Sequence, residues 1–192
     1  MSRNKNRRKW AKNHFLIICE GKTEEKYFKS FKLNGMEVEV KIEGIGANTE
    51  SLVKKTIAIR NQNPNKYNQV WCVFDRDDFP AKNFNQAFIL ARKEGIQVAY
   101  SNQAFELWFL LHFGYFDSAM HRNTLDQKIS ERIGENYERN TSYSVFENKK
   151  KLKLAIENAE KLLANFRTFN PEKNNPSTTV HNLVKELNKF LS

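Results

Sequence analysis

The sequence predicts an α/β fold in which a parallel sheet is flanked by helices and followed by a helical C-terminal elaboration. Short apolar runs alternate with amphipathic stretches in the order β-α-β-α-β-α-β up to about residue 101. Residues 70–74 are apolar at every position, which is typical of a central parallel strand that is buried on both faces. After residue 104 the strand-like runs fade and helical periodicity dominates.

The individual elements follow from these patterns and from turn and capping residues. Strands are predicted at residues 14–19, 36–44, 69–74 and 96–101. The intervening helices are predicted at residues 23–33, with Thr23 as the N-cap, at 49–62, and at 83–95, with Gly95 as the C-cap.

The C-terminal part is predicted to be mainly helical. Residues 104–113 are apolar on all sides, which favours a buried helix. Further helices are expected at 124–133, at 147–166 and from a cap at Ser177 or Thr178 to the end of the chain. We therefore expect a disordered arm at residues 1–12, an α/β core at 13–120 and a helical part at 121–192 that packs on the core.

The formal net charge of +10 is concentrated at the two ends of the chain. Residues 1–12 carry six Lys or Arg and no acid, whereas residues 13–120 carry 13 basic and 13 acidic side chains. A basic arm suits a phosphate backbone, where cations release condensed counterions, although a solvated tail has the same composition. The predicted nucleic-acid contacts are Arg3, Lys5, Arg7, Arg8 and Lys9 in the arm, and Lys22 beyond it.

The composition also indicates in which cellular compartment the protein is found. No run of about 18 apolar residues predicts a transmembrane helix, and the apolar stretch that follows the basic arm is too short for a signal peptide. Cys19 and Cys72 both lie in apolar strand-like runs and are expected to be buried free thiols. The sequence therefore predicts a cytoplasmic protein with no membrane partner.

Acidic residues follow two predicted strands at the point where each strand ends. The first strand ends at Glu20 and Gly21, and the third ends at Asp75, followed by Asp77. If these strands are neighbours, the carboxylates meet at one edge of the sheet, where their mutual repulsion would be relieved by a hard cation. Oxygen ligands of this kind suit Mg²⁺ or Mn²⁺, and Gly21 would allow a phosphate to approach closely.

Other acids in these regions are open to two interpretations. Glu24 is either a further metal ligand or a first-turn acid that stabilises the helix dipole, while Asp78 fits a turn or helix cap better. Glu106 is the only acid in the apolar stretch 104–113. It is either a structural acid with a paired partner or a carboxylate that faces the metal site.

Four segments together resemble a known family: FLIICEGKTEEKYFKSF, VWCVFDRDDFP, SNQAFELWFLLHF and NPSTTVHNLVKEL. The Glu-Gly and Asp-x-Asp strand ends resemble the Toprim domain of primases, topoisomerases and OLD-type nucleases. The Phe-Glu-Leu-Trp and Asn-Pro-Ser-Thr motifs make the chain similar to the RloB-like family over residues 14–190.

The resemblance implies a Toprim-like fold and a Mg²⁺-dependent nuclease of antiphage defence that works beside an ABC-type ATPase. It implies Glu20, Asp75 and Asp77 as metal ligands and catalytic residues, with Glu24 and Glu106 as further members of the site. A nucleic-acid- or nucleotide-binding sensor without turnover is the alternative from another functional class. Asp-x-Asp also occurs in nucleotide-sugar transferases and in haloacid-dehalogenase-type phosphatases, but neither requires an acid like Glu20 at a neighbouring strand end.

Overall fold

The computed structural model describes residues 13–43, 48–77, 80–138 and 148–191. Within these ranges the chain forms five strands and seven helices. The strands are β1 (Asn13–Cys19), β2 (Met36–Ile42), β3 (Gln69–Asp75), β4 (Gln97–Asn102) and β5 (Ser177–Thr178). The helices are α1 (Lys22–Lys29), α2 (Thr49–Gln62), α3 (Ala81–Lys93), α4 (Glu106–Leu110), α5 (Arg122–Ile133), α6 (Lys149–Ala164) and α7 (Val180–Asn188).

The five strands form one sheet in the order β2-β1-β3-β4-β5. The first four strands are parallel, and β5 pairs with β4 in the antiparallel sense. The chain runs outward from β1 to β2 on one side and from β3 to β4 on the other. The direction of winding therefore changes between β1 and β3, and ligands of open α/β sheets bind at the carboxyl ends of strands at such a point. The predicted fold class, a parallel α/β sheet with C-terminal helices, is confirmed.

Both faces of the central strands are buried, as the apolar run at 70–74 predicts. Alternate residues of β1 and β3 contribute to two separate cores, because successive side chains point to opposite faces of a sheet. Ile17 and Val73 lie in the core on the side of α1, α4 and the C-terminal helices. Ile18 and Cys72 lie in the core formed with α2 and α3. Cys19 and Cys72 are buried free thiols, as predicted.

Several helix boundaries differ from the predictions. Helix α1 ends at Lys29 rather than near residue 33, and its N-cap is Gly21, so Thr23 does not cap it. The apolar stretch 104–113 forms only the five-residue helix α4, although all five of its residues are buried. Burial, rather than helix length, accounts for that apolar composition.

The Asn-Pro-Ser-Thr motif corrects the prediction for the last helix. Ser177 and Thr178 do not begin α7 but form β5 at the edge of the sheet. The Thr178 hydroxyl donates a hydrogen bond to the Tyr100 carbonyl oxygen (2.9 Å), and the hydroxyls of Tyr100 and Ser177 are 3.0 Å apart. The motif therefore closes the β4 edge with buried side-chain hydrogen bonds, so Ser177 and Thr178 have a structural role in the sheet and not the predicted role of a helix cap.

The C-terminal helices pack against the core on one face of the sheet. Helix α7 contacts β4, and α6 contacts both α4 and α7. The buried Asn158 of α6 donates a hydrogen bond to the Leu111 carbonyl oxygen (2.9 Å), which ties α6 to the end of α4. Among the helices of the described ranges, none has both the length and the apolar character that a membrane span requires.

Candidate functional site

A cleft of about 350 Å³ opens at the carboxyl ends of β1 and β3, where the sheet changes its direction of winding. Five carboxylates and two cations line it: Glu20, Glu24, Asp75, Asp77 and Glu106, with Lys22 and Arg122. All five acids that the sequence suggested for the site therefore reach one cleft. They come from three separate segments of the chain, which the parallel sheet brings to a common edge.

Direct pairing of β1 with β3 brings the two acidic motifs together. The Glu20 backbone N–H donates to the Val73 carbonyl oxygen (3.0 Å) and continues the ladder past the end of β1. In return, the Asp75 backbone N–H donates to the Glu20 carboxylate (3.2 Å). The end of each strand is thus held to the end of its neighbour, and Glu20 is oriented by the backbone of the second motif.

Asp75 is the most deeply placed acid of the cleft and is only 9 % exposed. Its Oδ1 atom is buried and has no hydrogen-bond partner among the described residues. Burial raises the pKa of Asp75 well above its usual range, and the charges of Glu24, Glu106, Asp77 and Glu20 raise it further. A buried carboxylate oxygen without a partner is costly, so the site favours either a proton or a cation at this atom.

Glu20, like Asp75, lies among other carboxylates, but its side chain is more exposed to solvent than that of Asp75. Burial raises the pKa of Glu20 to about 7, with a further contribution from the charge of Asp77. The backbone N–H of Asp75 and the charge of Arg122 oppose this increase. Near neutral pH, Glu20 is therefore divided between its protonated and ionised forms and is able to exchange a proton.

Asp77 lies in the turn that follows β3. Its φ is +42°, a left-handed conformation that non-glycine residues rarely adopt. The Asp77 backbone N–H donates to the Gln103 carbonyl oxygen (3.2 Å), and its carboxylate forms a close ion pair with Arg122 at the start of α5. In this conformation Arg122 compensates the charge of Asp77.

Two further acids complete the cleft from the starts of two helices. Glu24, in the first turn of α1, is 5 % exposed, and its Oε2 would lie 2.9 Å from a Cβ added to Gly21. Any larger residue than glycine at position 21 would displace that carboxylate. Glu106 begins α4, is 2 % exposed and accepts a hydrogen bond from the Tyr137 hydroxyl (3.3 Å). Both of its interpretations stay open, since it has a structural partner and also lines the cleft.

The remaining predicted site residues divide into two groups. Lys22 is exposed at the mouth of the cleft, where it could meet a phosphate. The arm residues and Asp78 lie outside the described residues: Arg3, Lys5, Arg7, Arg8, Lys9 and Asp78. Their proposed contacts stay predictions.

Arg122 and Tyr137 are residues of the site that the sequence did not predict. Arg122 is separated from Asp77 by 45 positions and Tyr137 is separated from Glu106 by 31. Neither residue belongs to an acidic motif or to a strand end. No local signal identifies them, because their proximity to the cleft depends on how α5 packs against α4.

The donor set of the cleft suits a divalent cation chemically, since carboxylate oxygens are the ligands that Mg²⁺ and Mn²⁺ prefer. The buried Oδ1 of Asp75, which lacks a partner, is consistent with such an ion. Nevertheless, no three His, Cys, Asp or Glu side chains within the described ranges already form a group able to hold a metal. Binding by Glu20, Asp75 and Asp77 would therefore require side-chain rearrangement.

Comparison with known families agrees with the motifs. A family model described as RloB-like protein matches residues 15–187 of the chain. The chain belongs to the RloB-like family. No curated protein and no solved structure matches it. In this RloB-like chain the matched region includes all five cleft carboxylates as well as Arg122 and the Asn-Pro-Ser-Thr motif.

Proposed function

We propose that this RloB-like protein hydrolyses phosphodiester bonds of nucleic acid with the help of Mg²⁺, for which Mn²⁺ can substitute. The observation that carries the proposal is the buried Oδ1 of Asp75, which has no partner among the described residues and belongs to a cleft with four other carboxylates. Such a cluster is unfavourable in the absence of a cation, and proteins concentrate perturbed carboxylates at functional sites.

Glu20, Asp75 and Asp77 are the proposed ligands, because the two paired strands β1 and β3 bring them together. A bound divalent ion supplies charge neutralisation at the scissile phosphate and lowers the pKa of a coordinated water. Glu24 and Glu106 are proposed to support the site as additional carboxylates. Both are almost completely buried, so their positions are restrained by the surrounding core.

The chain's own residues have distinct proposed roles. Glu24 is the proposed general base, because it lines the cleft beside the three proposed ligands without being one of them. Arg122 and Lys22 are the cations of the cleft and are proposed to bind the substrate phosphate. If a bound cation compensated the charge of Asp77, the Arg122 guanidinium would be available to that phosphate.

A second candidate function is a nucleic-acid- or nucleotide-binding sensor without turnover. It is favoured by the Asp77–Arg122 ion pair and by the lack of a ready metal-binding group within the described residues. A sensor would use the same cleft to hold a phosphate and would pass the signal to a partner. An antiphage role and an ABC-type ATPase partner are proposed for either function, and both rest on the family resemblance alone.

The test is cleavage of a mixed panel of labelled DNA, RNA and tRNA with Mg²⁺, with Mn²⁺ or with EDTA. Wild-type protein should cleave at least one substrate with either metal, and the Asp75→Asn variant should not. Glu50→Gln is the matched control, because it also removes one carboxylate but lies on α2, where Glu50 pairs with Lys54 outside the cleft. Metal-independent binding without cleavage of any substrate would support the sensor instead.

A further inference from the structure

A second surface of the protein combines cations with aromatic rings. The segment that follows α4 exposes part of three rings, and side chains of α5 and α6 place cations over them. We call this surface the cationic–aromatic patch, and it consists of Phe113, Tyr115, Phe116, Lys128, Arg132, Lys151 and Lys161.

Helix α6 contributes two of the cations. The Nζ of Lys161 lies 3.9 Å from the centroid of the Tyr115 ring, and the Nζ of Lys151 lies 4.5 Å from that of Phe113. Both distances are within the range of favourable cation–π contacts. The Tyr115 hydroxyl also accepts a hydrogen bond from the Asn165 side chain (2.7 Å), which fixes the orientation of that ring.

Helix α5 contributes the other two cations, which share one ring. The Nζ of Lys128 and the Cζ of Arg132 lie 5.9 Å and 5.6 Å from the centroid of Phe116. These two residues are four positions apart and therefore emerge from the same side of the helix. Four cations from two helices are thus concentrated around a segment of four residues.

Within the part of the chain that the structure describes, no acid forms an ion pair with the cations of the patch. Elsewhere on the same helices, pairing is common: Lys153 of α6 pairs with Glu157, and Glu160 pairs with Lys185 of α7. A ring attracts a cation without neutralising it, so the full positive charge stays available to an anionic ligand.

We propose that the cationic–aromatic patch binds the phosphodiester backbone of nucleic acid. The four cations of the patch would each release counterions from a polyanion on contact. The rings restrict the long lysine and arginine side chains before binding, which reduces the conformational entropy lost when they contact phosphates. The rings are half-buried and covered by their own cations, so they are poorly placed to insert into a membrane.

The patch is connected to the cleft through two helices. Glu106 of the cleft begins α4, which leads into Phe113, and Arg122 of the cleft begins α5. Lys128 lies six residues along α5 from Arg122, about 9 Å at 1.5 Å per residue. That rise along the helix axis corresponds to two or three nucleotides of a duplex strand, at about 3.4 Å each. The choice of nucleic acid as ligand rests on the proposed function, whereas binding by the patch requires no metal.

The experiment measures binding in EDTA, so that it does not depend on cleavage. The probes are a fluorescently labelled 30-base-pair DNA duplex and an RNA duplex of the same sequence, titrated at several salt concentrations. Two double variants each remove two patch cations: Lys128→Gln with Arg132→Gln, and Lys151→Gln with Lys161→Gln. The matched control is Lys82→Gln with Lys93→Gln on α3, which also lowers the charge by two but lies on the opposite face of the sheet.

Each patch double variant should flatten the slope of log affinity against log salt by about 1.8, since each lost phosphate contact contributes about 0.9. At 0.1 M salt that change corresponds to a roughly 60-fold weaker affinity if the plots converge near 1 M. The control should keep the wild-type slope. Equal changes of the salt slope in the patch and control variants would overturn the proposal. The same variants are also tested with vesicles of anionic lipid, and weaker binding to the vesicles without weaker binding to either duplex would overturn it as well.

The outcomes also separate this inference from the proposed nuclease. Glu50→Gln should bind both probes with the wild-type salt slope, because Glu50 lies on α2, outside both the cleft and the patch. If no substrate is cleaved but the patch variants lose binding, the patch proposal stands and the nuclease proposal fails. If cleavage is metal-dependent but the patch variants bind normally, the reverse conclusion follows.

Discussion

Replacement of Glu20 by Gln should stabilise the metal-free protein, and the effect should grow with pH. Burial raises the pKa of Glu20 from 4.5 to about 7. Because the folded-state value is above the unfolded-state value, ionisation of Glu20 favours the unfolded chain. The contribution of the protonated Glu20 side chain to the free energy of unfolding is complete below about pH 4.5 and is lost as the pH rises through about 7.

The size of the effect follows from the same two values. Proton linkage gives a cost of about 1 kcal/mol at pH 5 and about 3 kcal/mol at pH 8, and glutamine avoids this cost. The glutamine side-chain oxygen can still accept the hydrogen bond from the Asp75 backbone N–H. For a chain of this length, 3 kcal/mol corresponds to an increase in Tm of about 6–12 °C.

The assay is urea denaturation of wild type and Glu20→Gln in EDTA at pH 5 and pH 8, repeated with Mg²⁺. In EDTA, the stability difference between the two proteins should be larger at pH 8. Mg²⁺ should stabilise wild type and have a smaller effect on the variant, because a ligand of the ion has been changed. A variant that is less stable than wild type at pH 8 would refute the electrostatic argument. Equal Mg²⁺ stabilisation of both proteins would remove Glu20 from the proposed metal site.

Three further predictions concern residues around the cleft and the core. Arg122→Gln should destabilise the metal-free protein by about 1–2 kcal/mol in urea denaturation, because the half-buried Asp77 loses its partner. If Mg²⁺ does not reduce this loss of stability, Asp77 is not a ligand of the ion. Glu106→Gln should lower the affinity for Mg²⁺, measured by titration. The free energy of unfolding should change by less than about 1–2 kcal/mol, since the Tyr137 hydroxyl can still donate a hydrogen bond to the amide oxygen. A variant that binds Mg²⁺ as tightly as wild type would leave only the structural role of Glu106. Burial lowers the pKa of His112 to about 4, so its contribution to stability is present above about pH 6.5 and is lost as the pH falls towards 4. His112→Gln should remove about 3 kcal/mol of that pH dependence, and identical pH profiles of wild type and variant would contradict the assignment.

The sheet and the acids at its edge could be predicted because their signals are local. An unbroken apolar run such as residues 70–74 must be buried on both faces, which a central parallel strand achieves. An acid directly after such a strand must emerge at the carboxyl end. Whether the first and third strands are neighbours was a condition that the sequence left open, and their direct pairing in the sheet fulfils it.

The boundaries that were predicted wrongly also have a physical cause. Ser177 and Thr178 have the side chains of good helix caps, but the same hydroxyls can bond to an exposed sheet edge. In the folded protein that edge is available, and Ser177 bonds with Tyr100 across 77 positions of sequence. Capping preference is a local property, whereas competition from the edge of β4 exists only after the sheet has formed.

The sequence by itself determined the α/β class, the four parallel strands, the basic ends of the chain and the acids at the strand ends, because each depends on residues that are covalent neighbours. Only the tertiary structure decided which charges compensate one another. It paired Asp77 with Arg122, placed Tyr137 against Glu106 and left Oδ1 of Asp75 buried without a partner among the described residues. Such contacts depend on how the helices pack on the sheet, and electrostatic energies change steeply with distance and burial. Composition and periodicity contain neither quantity, so the charge state of the cleft could not be derived from them.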